Sequence, residues 1–338
     1  IMNINLDNFC INRKMFIVFL CLFFVFIFTG CTKQNNAPNQ HIPTDQNGQL
    51  NNNKQFFYSL LDGKIIDQEE DKNPFVALMI DNFIDSRPVS GINSTSIVYE
   101  VPVEAGITRF MGIFELNNLP EKIGPIRSAR PYFAGLAEEY EAIYAHAGGS
   151  PQVINELKEK KYNIFNLDEI SANGIYFWRD NSRISPFNLY TSRDLINKFI
   201  QKKGIANYSD FRPWNFQDQV EKNDDSANQR VEIGSYKEPV LWKYDSEQKI
   251  YLRYQNNKPY LDVDNNQVST VNLIVQKTPI IVIDAIGRRE IKIRGRGTAY
   301  IYMNGEKIDG NWIRENNRTI FYDQEGGEIK FLRGNIWI

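Results

Sequence analysis

The chain is poor in the residues that build most catalytic and metal centres. It has 3 cysteines, Cys10, Cys21 and Cys31, and none beyond Cys31. The body of the protein therefore has no disulfide framework, no thiol nucleophile and no cysteine-bound zinc. There are 2 histidines, His41 and His146, which disfavours a histidine-based metal site. The net charge is −2, so no global field draws nucleic acid, and any basic site must be local. No Ser-His-Asp elbow, P-loop or dinucleotide-binding glycine set is present, which leaves simple hydrolase and nucleotide readings without support.

Long apolar runs are also scarce, with one exception. Arg13 and Lys14 precede an unbroken apolar stretch, Met15 to Phe28, followed by Thr29-Gly30-Cys31. About 14 residues rise only about 21 Å as a helix, short of the roughly 30 Å apolar bilayer. This is the plan of a secretory signal, residues 1–30, rather than of a permanent span. The alternative is a short anchor left uncleaved. Residues 31–54 are rich in Asn, Gln and Pro, and read as a flexible tether that holds His41 in solvent. Asn, Lys and Ile richness in an exported chain without disulfides points to a Gram-positive bacterium.

The stretch from Ile123 to Glu156 organises the rest. Ser128, Arg130 and Pro131 predict a capped helix start, and Phe133, Leu136, Ala137 and Tyr140 form its apolar stripe. Ala142 to Ala147 reads as a buried strand. It leaves through Gly148 and Gly149 into a second helix start at Ser150-Pro151, with Val153, Ile154 and Leu157 facing the core. A strand, glycine corner and helix N-terminus aim backbone N–H groups at one point, which suits an anion.

Around this passage, Phe75 to Ile80, Ser96 to Val103, Thr108 to Leu116 and Asn163 to Leu167 read as strands, the middle two joined as a hairpin by Glu104-Ala105-Gly106. Ile175 to Tyr190 reads as loop. Thr191 is placed as the cap of a helix that Gly204 stops. An unperiodic polar segment, residues 213–238, is the expected linker. It separates an α+β domain at 55–212 from a β-rich domain at 239–338. The second has strands predicted at Val240 to Tyr244, Ile250 to Gln255, Val271 to Gln276, Ile280 to Asp284, Glu290 to Arg294, Thr298 to Met303, Asn311 to Glu315, Thr319 to Asp323 and Glu328 to Leu332. The closing Gly334-Asn335-Ile336-Trp337-Ile338 stops inside an apolar run and reads as a truncated end. The expected fold class is α+β, an N-terminal α/β sandwich-like domain with a mixed sheet followed by a β-rich domain.

Arg109, Arg127, Arg130, Arg179 and Arg183 crowd the first domain at turns and element ends, where guanidinium forks can grip phosphate or carboxylate. Together with His146, Gly148, Gly149, Ser150 and Asn188 they form the candidate ligand site. The alternative is that the arginines pair with Asp81, Glu100, Glu104 and Asp180 as structural ion pairs. For His146 the alternative is a satisfied core residue. Asp81 and Glu104 are the candidate carboxylates for a divalent cation such as Mg²⁺ serving a bound phosphate; no other cofactor is expected. Gly287 to Gly297 (GRREIKIRGRG) reads as a solvated hairpin face, with anionic wall polymer or lipid head groups as the other reading.

Three resemblances add to this. FTGC resembles the lipobox of bacterial lipoproteins, with Phe28 where leucine is commonest, and implies diacylglyceryl-Cys31 and an extracytoplasmic, lipid-anchored protein. MIDN at Met79 to Asn82, SRPVSGI, VYE, TRF, GPIRSAR at Gly124 to Arg130, HAGGSP at His146 to Pro151, FWRD through NLY, VNLIVQ and the closing GNIWI resemble the YerB-like family of bacterial lipoproteins. That family is defined by two domains of unknown function; the resemblance implies an α+β domain and a β-rich one and brings no established activity. Where the family tends to carry Pro-His-Asn, this chain has Pro186-Phe187-Asn188. The arginine turn Pro125-Ile126-Arg127 and the YAHAGG strand are also similar to the LytR-CpsA-Psr family, which transfers glycopolymers from polyprenyl pyrophosphate, though Ser128 stands where an aspartate is expected. The reading is a membrane-anchored lipoprotein binding an anionic envelope ligand through an Arg-rich pocket. A glycopolymer phosphotransferase and a purely structural partner-binding surface protein are the alternatives, so enzyme activity is left open.

Overall fold

The run FVALMI folds as β1 (Val76–Ile80), every residue of it buried. Beside it lie β2 (Ile97–Pro102) and β3 (Thr108–Phe114), antiparallel with Val101 opposite Arg109. The predicted turn joins them, with Ala105 at φ 61 and Gly106 at φ 70. A computed structural model describes residues 56–66, 73–205, 211–219, 230–234 and 237–338. The signal segment, Cys31, the tether with His41, and much of the expected linker lie outside the described residues.

Helix α1 (Pro131–Glu138) begins at its proline as expected, but Ser128 does not cap it. The cap position is Arg130, in extended conformation, and Ser128 lies two residues too early to reach the first turn. Strand β4 (Ile143–His146) leads into α2 (Pro151–Lys158), where the Ser150 hydroxyl accepts from the Val153 N–H as predicted. Strand β5 (Phe165–Asp168) follows, then α3 (Arg193–Lys203), which ends at Gly204 with φ 61. Its cap is Ser192 rather than Thr191, whose hydroxyl donates to the Tyr176 carbonyl at 2.8 Å. The loop expected at 175–190 contains a small antiparallel pair, Trp178–Arg179 with Leu189–Tyr190.

The second half supplies β6 (Arg230–Ile233), β7 (Val240–Asp245), β8 (Ile250–Gln255), β9 (Asn272–Gln276), β10 (Ile280–Val282), β11 (Arg289–Ile291), β12 (Gly295–Met303), β13 (Glu306–Glu315), β14 (Arg318–Asp323) and β15 (Ile336–Trp337). Turns at Asn256-Asn257 and Asn304-Gly305 take the positive φ that hairpins require. Ten strands form one sheet in the order β14-β13-β12-β9-β15-β2-β3-β1-β4-β5. The closing apolar run is therefore an inner strand: Trp337 pairs in parallel with Leu273 on one side and Val98 on the other. The expected linker also contributes structure. Asn215–Gln217 runs parallel to Lys330–Leu332, and β6 pairs with β7.

Alternation along the strands sends side chains to two cores. Ala77, Met79, Tyr99, Met111 and Tyr144 pack under α1 and α2 with Trp312 and Phe321. Val76, Leu78, Ile80, Val98, Phe110 and Leu167 pack on the opposite face against α3 and the β6-β7-β8 sheet, through Phe199, Trp242 and Tyr251. The fold is α+β with a mixed sheet and a β-rich second half. All described residues belong to a single compact unit within Asn51–Ile338.

Candidate functional site

The carboxyl ends of the parallel strands β1, β4 and β5 meet the start of β3 at one end of the sheet. Crevices at such strand ends are where open α/β sheets place ligands. Asp81, Arg109, His146 and Asp168 all lie here and, by alternation, on the face covered by α1.

Most of the candidate arginines already have partners. Arg127 Nε donates to Asp81 Oδ2 at 2.7 Å, and its guanidinium sits 5.1 Å from the centre of the Phe187 ring. Phe187 stacks on Phe83 with an interplanar angle of 10°, so aromatic surface covers that arginine. Arg130 grips Glu104 with two bonds, Nε to Oε1 at 2.6 Å and Nη2 to Oε2 at 2.8 Å. Burial works to raise the Glu104 pKa, but the bonds and charge of Arg130 prevail and hold it below the usual carboxylate range. Arg109 differs. It is 7% exposed and donates to the Ser128 carbonyl at 2.8 Å, while its buried Nε has no hydrogen-bond partner. Burial and the neighbouring Arg130 push its pKa down, against the pull of Asp81 and Glu104. The nearby Tyr144 hydroxyl, which feels the Arg109 charge and lies beside the Arg130 backbone N–H, is buried, and its own O–H finds no acceptor.

The glycine corner already receives an anion from the chain itself. Asp168 Oδ1 accepts from the Gly148 N–H at 2.7 Å and from the Ile170 N–H at 3.3 Å. Gly148 is left-handed at φ 58, and its carbonyl accepts from the Ala129 N–H at 2.9 Å. Gly149 bridges in parallel to Ala129, and a Cβ on it would stand 2.6 Å from Val153 Cγ1. The hydroxyl of Ser150 is committed to its cap. His146 is fully buried, with Nδ1 2.8 Å from the Gly148 carbonyl and Nε2 2.7 Å from the Asn166 side-chain amide. Burial pushes its pKa down and keeps the ring neutral. This is the geometry of the satisfied core histidine.

The remaining candidates form a second group on the 178–190 pair. Arg179 Nη1 donates to Asn188 Oδ1 at 3.0 Å, and its Nη2 lies 3.7 Å from Glu169. Arg183 binds the Tyr190 hydroxyl at 2.7 Å and the carbonyls of Asp85, Arg87 and Pro88. Asn188 is buried, its amide donating to the Asp180 and Arg183 carbonyls. These polar contacts tie the loop to residues 85–88, while Phe187 reaches toward the Arg109 cluster, through the face of its ring on Arg127. Asp180 pairs with Lys122 at 2.5 Å. Asp81 and Glu104 each hold a guanidinium, and among the described residues no three His, Cys, Asp or Glu side chains converge as a metal shell needs.

A network absent from the sequence reading lies on the opposite face of the same sheet end. Arg253, fully buried, donates to Glu100 Oε1 at 2.7 Å and lies 4.3 Å from the centre of the Tyr260 ring. Glu100 also accepts from the Thr108 hydroxyl at 2.7 Å and from Trp337 Nε1 at 2.9 Å. Asn82 bonds to Thr108, Arg87 and Tyr260, and Arg87 reaches Glu238. The signal that could have exposed it is Arg253, a charged residue within the strand expected at 250–255.

Comparison with known proteins places both halves of the chain from residue 61 onward. The model described as "Protein of unknown function (DUF3048) N-terminal domain" matches residues 61–206, and the C-terminal domain model of the same family matches residues 230–338. The chain belongs to this family. A relative, "Putative lipoprotein YerB" of Bacillus subtilis (strain 168), is 31% identical over 267 residues, covering 78% of this chain and 80% of the relative. The solved "Crystal structure of YerB protein from Bacillus subtilis" is similar at TM-score 0.74 and 29% identity, covering 83% of this DUF3048 chain and 95% of that one. The YerB-like resemblance read from the motifs is borne out, as is the α+β fold. Among the described residues, no helix is long and apolar enough to cross a membrane.

Proposed function

We propose that this DUF3048 protein is a lipoprotein held at the outer face of the cell membrane through diacylglyceryl-Cys31, and that it binds a phosphate- or carboxylate-bearing envelope component at the sheet end around Arg109. The anchoring half is supported by the FTGC motif and by the name of the Bacillus relative. The ligand half is carried by the state of Arg109. Three guanidiniums, Arg109, Arg127 and Arg130, face two carboxylates, Asp81 and Glu104, which leaves one buried positive charge without a hydrogen-bonded acid. Arginine does not shed its proton to relieve this. An unpaired buried charge and two orphaned donors, Arg109 Nε and the Tyr144 hydroxyl, are costly unless an anion completes them.

Thermal melting tests it with inorganic pyrophosphate and citrate as probes, at constant ionic strength. At about 100 times Kd, binding raises the melting temperature by roughly 5 °C, and Arg109→Gln removes the rise. No rise with either anion, or an equal rise in the variant, would sink the ligand half. One observation favours a second reading in that event. Arg127, Arg130 and Arg179 are held by Asp81, Glu104 and Glu169, which supports a purely structural, partner-binding surface protein.

A further inference from the structure

Among the described residues, the exposed aliphatic side chains gather most densely in one short run. Ile280 (41% exposed), Ile281 (58%), Val282 (56%), Ile283 (48%) and Ile286 (67%) all belong to the β10–β11 hairpin or its loop. The loop is ordered, because Asp284 Oδ1 accepts from the N–H groups of Ile286 and Arg288, both at 3.0 Å. The hairpin is rooted by buried Ile291, by the Thr278 hydroxyl on the Lys292 carbonyl, and by Arg289 Nε on the Val103 carbonyl at 2.9 Å. These side chains are therefore held out on a built element. Apolar patches of this kind mark interaction surfaces.

Two observations say what kind. First, alternation puts Ile280 and Val282 on one face of the ribbon and Ile281 and Ile283 on the other. Ile280 and Val282 share their face with Ile291 and Arg289, which root the hairpin on the body. Val282, Ile281 and the loop residue Ile286 nonetheless stay exposed, so toward its free tip the ribbon offers aliphatic surface on both sides, which a surrounding medium covers and a flat protein surface does not. Second, the chain is net negative, yet Lys277, Arg288, Arg289, Lys292, Arg294 and Arg296 crowd this segment against Asp284 and Glu290. Asp284 is already paired to Arg288 at 3.3 Å, and Arg294 to Glu138 at 2.7 Å. Lys277, Lys292 and Arg296 are exposed and have no carboxylate partner among the described residues.

We propose that the β10–β11 hairpin docks on an anionic lipid surface. Ile281, Val282 and Ile286 enter the boundary between headgroups and acyl chains, and Lys277, Lys292 and Arg296 meet lipid phosphates. Aliphatic burial combined with basic attraction is the usual basis of reversible interfacial binding. This contact uses residues other than those of the sheet-end cluster, which it adjoins at Val103, and it would give a lipid-tethered protein a fixed orientation on the bilayer.

The test reconstitutes the full chain in vesicles containing a photoactivatable phosphatidylglycerol and maps cross-links by mass spectrometry. Cross-links concentrated at 280–288 are expected. They should fall at least tenfold in the I281S/V282S/I286S variant, whose exposed positions leave the fold intact, and severalfold in K277Q/K292Q/R296Q. A photoactivatable phosphatidylcholine should label the hairpin severalfold less. Labelling confined to other described residues, labelling that persists in the serine variant, or equal labelling by the zwitterionic lipid would each overturn the proposal.

Discussion

His146 is held between a carbonyl, a side-chain amide and, 3.6 Å away, the Asp168 carboxylate. Those partners favour the charged ring, but complete burial outweighs them, so the folded pKa lies below the ordinary 6.5. The unfolded chain therefore takes up the proton first as pH falls, and folding stability declines below about pH 6.5. Urea melts at pH 7 and pH 5 should show this loss. His146→Gln should be less stable at pH 7, by about 1–3 kcal/mol for the buried bonds it breaks, but its stability should change less between the two values. An unchanged slope in the variant would assign the acid sensitivity elsewhere. Glu104, held low by Arg130, adds a second acid limb, with its contribution lost as pH falls below about 4.5. Residue roles of this kind were legible only as alternatives. A lone histidine in an apolar strand looks the same whether it serves the core or a ligand, and the arginine–carboxylate pairings join positions such as Asp81 and Arg127 that only the fold brings together.

At the scale of the element, the passage from β4 through the glycine corner to α2 is shaped by contacts on all sides. Gly148→Ala must accept φ 58 with a side chain, a cost of about 1–2 kcal/mol. Gly149→Ala meets Val153 Cγ1 at 2.6 Å and the Ala129 carbonyl at 3.2 Å, an overpacking worth about 1–3 kcal/mol. Ser150→Ala removes the α2 cap for about 1 kcal/mol. Denaturant midpoints of the three variants check these, and a neutral Gly149→Ala would contradict the close packing against the 127–130 turn. Periodicity and turn chemistry made these elements visible in the sequence, because β4, α2 and the β12–β13 turn each announce themselves within a few residues. Cap positions slipped where two hydroxyls compete, as at Thr191 and Ser192. Arg230–Ile233 escaped notice because its polar surroundings hide a strand whose pairing with β7 comes from the next segment.

For the whole molecule, the joining of two family domains in one sheet rests on the last few residues. Strand β15 lies between β9 of the second half and β2 of the first, and Trp337 adds a bond to Glu100, the partner of Arg253. Local reasoning could not find this, since a two-residue strand carries no period and its partners lie far away in sequence. Arg253→Met leaves Glu100 buried without its guanidinium, for about 3–5 kcal/mol, while pairing it with Glu100→Gln should recover part of that loss. Deleting Ile336 to Ile338 goes further. It exposes two facing strand edges, β9 and β2, whose N–H and C=O groups then lack partners, and it uncovers the buried indole contacts of Trp242 and Phe110. The truncated chain should then unfold in two steps, with the 61–206 and 230–338 segments separating, where the intact chain unfolds in one. Calorimetry distinguishes the cases. A single undiminished transition after the deletion would mean that the remaining contacts between the halves, such as Asn215–Gln217 along Lys330–Leu332, suffice to couple them.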